Sequence, residues 1–270
     1  MKFNTTLLAG ALCAGLFTSQ AEATIVTLET SVGNIDINLY DETTPLTVAN
    51  FLAYVNTGAY NHTFIHRSVP GFIVQGGGWV FNTGTEFDHV ETLAPVVNEP
   101  ALSNVRGTIS MAKPPNSPNG ATSEFFFNLV NNDASSGNNL DIAESGYTVF
   151  GQLTDESMAV VDAIAGLQFY AFTQAYSNSA LGTLPLQNYT DTSVLPTEDN
   201  FIVIYSATVS DAATDTAAGL TPPVNPGPPA TPTPPTTDSP IDSGGGNMGL
   251  FSLMLLAGAG LMRRRVKNKV

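Results

Sequence analysis

Cysteine is almost missing from this sequence, and the single one, Cys13, falls inside an apolar run near the N-terminus. Met1 to Ala23 reads as a secretory signal peptide. Lys2 supplies the positive start, Leu7 to Phe17 the apolar segment, and Ala21-Glu22-Ala23 the small-residue cleavage pattern. Leu12, just before Cys13, is unsuited to a lipid-attachment site. Loss of the peptide leaves no cysteine, which excludes disulfides and thiol nucleophiles. Export without disulfides fits a bacterial envelope protein. Positive charge is scarce as well. Of nine lysines and arginines, one is Lys2 and five (Arg263, Arg264, Arg265, Lys267, Lys269) crowd the C-terminus, so only Arg67, Arg106 and Lys113 lie between. The formal net charge is −14. An acidic surface of this kind repels phosphate backbones and anionic head groups, which excludes nucleic acid as a partner.

The signatures that metals and cofactors require are also missing. His62 and His66 have the spacing of a helical metal pair, but their surroundings read as strand and turn, so they would not share a face. No third ligand joins them. Gly76-Gly77-Gly78 lacks the lysine and following helix of a phosphate loop, and no Gly-Xaa-Ser-Xaa-Gly elbow occurs. The expected chemistry therefore uses neither metal nor cofactor.

Residues 24–211 read as one domain rich in short strands. Ile25 to Thr30 and Ile35 to Tyr40 alternate around a turn at Gly33-Asn34, which predicts a hairpin. Thr44 offers an N-cap and Pro45 a first helical position. Val48, Phe51, Leu52 and Val55 then share a helical face, and Gly58 marks the stop. Strand-like runs follow at Phe64–Val69, Phe72–Gln75, Thr108–Ala112, Phe125–Val130 and Thr148–Leu153. A second helix is predicted over Asp155–Ala165, and a last strand over Phe201–Val209. Many short strands with two helices suggest an antiparallel barrel whose ends the helices cover. Gln168 to Asn200 is polar and irregular, too long for a simple connection.

One cation stands amid apolar residues: Phe64-Ile-His-Arg67-Ser-Val-Pro-Gly-Phe72-Ile-Val-Gln75-Gly-Gly-Gly. This stretch resembles the cyclophilin motif Phe-His-Arg, four residues, Phe-Xaa-Xaa-Gln-Gly-Gly, with Ile65 for the first Phe. Three further blocks are similar to that family in order: Arg106-Gly-Thr-Ile-Ser-Met-Ala112, Ser123-Glu-Phe-Phe126, and Leu140-Asp141 followed by Tyr147-Thr-Val-Phe-Gly151. The resemblance implies a mainly β fold, a closed eight-stranded antiparallel β-barrel capped by two α-helices. It also implies peptidyl-prolyl cis/trans isomerase activity on proline-containing polypeptides. Carried over by position, Arg67 is the catalytic arginine. Phe72, Ile73, Phe126 and Leu140 line the proline pocket, Gln75 and Ala112 contact the peptide, and Tyr147 stands where the family often has His. Glu124 replaces the usual Gln; the resemblance puts it near Arg67, where its charge is expected to compete with the prolyl nitrogen for the guanidinium, the alternative being that it holds Arg67 in the productive orientation. Asn139 falls where many members have an aromatic residue, a change expected to weaken cyclosporin binding more than catalysis. Two other readings stay open: a peptide-holding chaperone module with little turnover, and a structural spacer with no peptide affinity.

The C-terminal part changes character. Ala, Thr and Pro dominate from about Ala212, most densely over Thr221 to Thr236, which favours extended polyproline II in a linker over 212–246. Gly244-Gly-Gly246, an apolar run from Met248 to Met262 and three arginines complete the chain, a hydrophobic helix and basic tail over 247–270. Fifteen apolar residues are short for a span, but the arginines predict a cytoplasmic end and a domain facing outward. This order resembles the GlyGly-CTERM sorting signals of Gram-negative bacteria. That resemblance implies cleavage by a rhomboid-like sorting protease and a periplasmic or surface location, with membrane contact through the C-terminal helix beforehand. A permanent tail anchor is the alternative.

Overall fold

The computed structural model of the protein describes residues 24–81, 87–176, 178–212 and 220–227. The expected signal peptide, most of the linker and the expected tail helix lie outside the described residues. No helix among the described residues is long and apolar enough to cross a membrane.

The first hairpin pairs β1 (Ile25–Thr30) with β2 (Gly33–Leu39), placing Val26 opposite Ile37 and Leu28 opposite Ile35, all four fully buried. Its turn is Ser31-Val32 rather than Gly33-Asn34, because Gly33 already pairs with Thr30. Helix α1 (Pro45–Asn56) buries Val48, Phe51, Tyr54 and Val55. Thr44 holds the N-cap position without capping; its hydroxyl turns back to the Tyr40 carbonyl at 3.3 Å. The carboxylate of Glu99, 52 residues onward, instead accepts from the amides of Leu46 (3.3 Å) and Thr47 (2.8 Å). The open donors of the helix start are thus satisfied from another part of the chain.

Short strands follow: β3 (Thr63–Phe64), β4 (Arg67–Val69), β5 (Ile73–Gly76), β6 (Trp79–Phe81), β7 (Phe87–His89), β8 (Thr108–Met111), β9 (Phe125–Asn128) and β10 (Val149–Leu153). Helix α2 (Asp155–Ala165) has the predicted bounds and is capped by the Thr154 side chain, which accepts from the Ser157 amide. Strands β11 (Phe169–Tyr170) and β12 (Leu184–Pro185) form a small separate pair, and β13 (Val203–Asp211) closes the series. The fold is therefore mainly β with two helices. Eleven strands make one curled antiparallel sheet in the order β4-β5-β9-β8-β10-β2-β1-β13-β3-β6-β7. The expectation was eight strands. The larger number arises because the stretch 63–69 is divided into β3 and β4 and because the β6–β7 hairpin was not foreseen.

Period-2 alternation explains where the core sits. In the run Phe125-Phe126-Phe127, residues 125 and 127 enter the main core beneath the sheet while Phe126 faces the opposite side. In Phe201-Ile-Val-Ile204, Ile202 and Ile204 point inward, and Phe201 and Val203 outward. That outer face is covered by the segment 168–200. Read as polar and irregular, it has an apolar cluster of its own: Leu181, Leu184, Leu186 and Tyr189 pack on Phe64, Trp79, Phe201 and Val203.

Part of the expected linker also belongs to the folded body. Leu102 bridges Val224, and Asn225, 2% exposed, donates to the carbonyls of Pro100 (3.2 Å) and Asp141 (3.0 Å). Its side-chain donors anchor a proline-rich stretch that lacks enough backbone N–H groups to pair as a strand.

Candidate active site

Sheet register assembles the site. Arg67 on β4 lies opposite Gln75 on β5, Gln75 opposite Phe126 on β9, and Phe126 opposite Ser110 on β8, which makes one row across four strands. Since strand side chains alternate, Ile73 and Ala112 fall on the same face as this row. Phe72, Ile73, Ala112, Phe126, Leu140 and Tyr147 form one buried apolar cluster, with the Phe126 and Tyr147 rings at 5.7 Å in an edge-on arrangement. These are six of the nine residues singled out from the sequence. The other three, Arg67, Gln75 and Glu124, line a cavity of about 340 Å³ that also borders Ala112.

The frame beneath this cluster is polar and buried. Asn132 Nδ2 donates to the Phe72 carbonyl (3.0 Å) and to Asn128 Oδ1 (2.8 Å). Asp141 Oδ1 accepts from the Asn104 amide (2.7 Å) and side chain (3.1 Å). The Leu140 amide donates to the Asn132 carbonyl, and the Tyr147 amide to the Leu140 carbonyl. Polar groups buried in this way stay only when paired, so the network holds the pocket's far wall in one arrangement.

Arg67 is partly buried, with its guanidinium carbon 6.0 Å from the Phe72 ring centroid, and Nη1 donates to Gln75 Oε1 at 3.1 Å. Burial pulls its pKa below the usual guanidinium value, while Glu124 and Tyr147 act to hold it up. Glu124 does not contact Arg67, contrary to the expectation of a direct competition. Gln75 stands between them and donates from Nε2 to Glu124 Oε2 at 2.7 Å. A carboxylate can only accept, so Glu124 fixes which end of the Gln75 amide faces it and turns the Oε1 end toward Arg67. Burial alone would raise the Glu124 pKa. Contacts with His66 and Gln75 and the nearness of His89 outweigh it and leave the carboxyl below its usual value. The glycines make this approach feasible: a side chain at Gly78 would meet the Glu124 carboxylate at 2.8 Å, and Gly77 has a φ of +77°.

Sequence reasoning missed several residues of the cavity. His66 is buried with Nε2 3.5 Å from Glu124 Oε2. Trp79 and His89 face each other with ring centroids at 3.6 Å, and burial lowers the His89 pKa. Lys113 is 5% exposed; its Nζ lies 5.0 Å from the Tyr147 ring and donates to the Gly146 carbonyl at 2.6 Å. Burial brings its pKa down to about 8 and raises that of Tyr147 to about 12. Ser179, Ala180, Gly182 and Thr183, from the segment of unassigned role, supply another wall. Lys113 could have been noticed by the reasoning applied to Arg67, since a chain so short of cations has placed one beside the Ser-Met-Ala block. Asn139, the other departure, takes a φ of +50° and buries Oδ1 without a hydrogen-bond partner among the described residues.

A curled antiparallel sheet carrying an arginine and a glutamine beside an apolar pocket is the arrangement that the cyclophilin resemblance implied. Residues 25–179 match the family model described as cyclophilin type peptidyl-prolyl cis-trans isomerase/CLD. The chain is 40% identical over 146 residues to a peptidyl-prolyl cis-trans isomerase of Acinetobacter baylyi, covering 53% of this chain and 73% of that one. It is 43% identical over 148 residues to peptidyl-prolyl cis-trans isomerase A of Dickeya dadantii, covering 54% and 73%. Against peptidyl-prolyl cis-trans isomerase B of Escherichia coli it is 41% identical over 145 residues, covering 53% and 85%. The chain belongs to the cyclophilin-type peptidyl-prolyl cis-trans isomerase family, and its activity is peptidyl-prolyl cis/trans isomerisation.

Proposed function

We propose that the isomerase acts on exported polypeptides outside the cytoplasm and that Arg67 is its catalytic residue. The observation that carries the catalytic part is the Arg67–Gln75–Glu124 chain at the edge of the apolar cluster. Rotation about a peptide bond is slow because the nitrogen shares its lone pair with the carbonyl, a barrier of about 18–20 kcal/mol. In the twisted state that conjugation is lost and the prolyl nitrogen regains a basic lone pair. A guanidinium held beside the ring donates a hydrogen bond to it, an interaction the planar ground state does not offer. The apolar cluster of Phe72, Phe126, Leu140 and Tyr147 holds the ring while the preceding carbonyl swings. Gln75, oriented by Glu124, holds the guanidinium in place, so the carboxylate acts through Gln75 and not as a competitor. A 10⁵-fold acceleration requires about 7 kcal/mol of differential stabilisation, within reach of a preorganised donor in a desolvated site. The test is an isomerisation assay on a proline peptide with Arg67→Ala as control. A variant that keeps wild-type kcat/KM would remove Arg67 from the mechanism.

The closed barrel expected from the sequence is supported by the stretch 63–69. β3 and β4 are successive pieces of it, and between them the Ile65 amide donates to the Ile202 carbonyl and the His66 amide to the Gln75 carbonyl. One stretch thus bonds to both flanks of the sheet. Export, periplasmic or surface location, and tail processing by a rhomboid-like protease rest on the sequence pattern of residues 1–23 and 244–265. Intact-mass measurement of the native protein tests them: a soluble cytoplasmic species retaining residues 1–270 would overturn all three.

A further inference from the structure

The cavity has two chemically different ends. At one, Arg67 lies by Phe72 and Lys113 by Tyr147, and both cations are engaged, Arg67 by Gln75 and Lys113 by the Gly146 and Pro118 carbonyls. At the other, Glu124, with a carboxyl held below its usual pKa, meets the Trp79–His89 pair and the Ser179–Thr183 segment. Among the described residues, His66 Nδ1 and Trp79 Nε1 are buried there without hydrogen-bond partners. The match to the family model ends at residue 179, so Ala180, Gly182 and Thr183 of this wall lie beyond it, in the 168–200 segment, called the insertion below. The insertion is not a loose flap, since Leu181 and Leu184 are fully buried against Phe64 and Val203.

We propose that Glu124 and the Ser179–Thr183 wall form a second subsite that accepts a lysine or arginine side chain of the polypeptide near the isomerised proline. The inference rests on the reading of Arg67 and the apolar cluster as the place where proline sits. Gln75 and His66 both approach Oε2 of Glu124, which leaves Oε1 to accept from a ligand. An ammonium or guanidinium entering beside an aromatic pair and a partly desolvated carboxylate gains charge-assisted bonding and contact with the ring faces. A carboxylate in the same place meets like charge. Each residue of an extended peptide advances about 3.3–3.6 Å, so the favoured cation sits within a few positions of the proline.

The test uses the purified chain and proline peptides carrying Lys, Ala or Glu at each of the two positions on either side of the proline. At one of these positions the kcat/KM ratio of the Lys to the Glu peptide should be about tenfold or more, equivalent to about 1.4 kcal/mol. Glu124→Gln should bring that ratio within about twofold. Ser179→Lys should lower it and Ser179→Glu raise it, each variant first checked for a wild-type melting transition. Attraction by the acidic surface as a whole would survive Glu124→Gln and fade in salt; that result, or no preference at any position, overturns the proposal. If even the Ala peptide is not turned over, the catalytic reading fails on its own. Calorimetric binding of the Lys and Glu peptides to the same variants then still decides whether the subsite exists.

Discussion

The main core and the insertion's cluster meet at β3 and β13 but are built differently. The core takes Val26, Leu28, Ile35 and Ile37 from one alternating hairpin and Phe51, Val55, Val161 and Ile164 from two helical faces. The insertion gathers leucines and tyrosines from short 3₁₀ turns and a two-residue strand pair, and uses the outward residues of β13 as its floor. One body is held by periodic elements, the other by irregular backbone laid on a surface already formed. The contrast teaches that the insertion depends on the curled sheet for its fold, and the groove on that sheet depends on the insertion for one of its walls.

Leu181→Ala tests that dependence most strongly. If the insertion is part of the cooperative unit, truncating this fully buried side chain should cost about 2–5 kcal/mol in the single unfolding transition. A second, earlier transition with the main one unmoved would show two independent bodies. Arg67→Ala addresses the other side of the groove. Loss of a transition-state donor should lower kcat/KM about 10²- to 10³-fold while the melting temperature changes little. Equal loss of stability and rate would mean that Arg67 supports the fold.

Lys113 sharpens the comparison through pH. Its pKa is lowered by burial from the usual 10.5 to about 8. Between those values the unfolded chain binds more protons than the folded one, so this residue makes stability rise with pH from about 8 to about 10.5. Urea unfolding across that window should show the rise in the wild type and its loss in Lys113→Met; an unchanged slope would assign it to other groups. The smallest effect concerns the strap formed by residues 220–227. Asn225→Ala removes the donors to Pro100 and Asp141 and should cost about 1 kcal/mol. Amide exchange over residues 141–147 should speed up with it. No change in either would mean that the strap only rests on the surface.

Much of this was legible in the sequence where neighbours along the chain carry the physics. The bounds of α2, the first hairpin and the set Arg67, Phe72 and Gln75 followed from spacing or from the cyclophilin resemblance. What was not legible depended on distant partners. Thr44 had the right chemistry for a cap, yet Glu99 satisfies the helix start from 52 residues away. Glu124 was expected beside Arg67, but Gln75 lies between. The run Phe201-Ile-Val-Ile204 held an unused signal: four consecutive apolar residues in a strand require both faces to be covered, which pointed to a second layer.

By itself, the amino-acid order determined the cation-poor acidic domain, the absence of thiol chemistry from residue 24 onward, the strand-rich pattern and the family. Those properties follow from composition and from periods of 2 and 3.6 residues, which need no knowledge of what lies across the sheet. Only the tertiary structure decided that the 168–200 segment walls the groove, that Lys113 is buried against Tyr147, and that residues 220–227 fold back beneath the pocket. Each of these arises from a hydrogen bond or an apolar contact between residues far apart in sequence, and local pattern carries no trace of such a partner until the chain has closed around it.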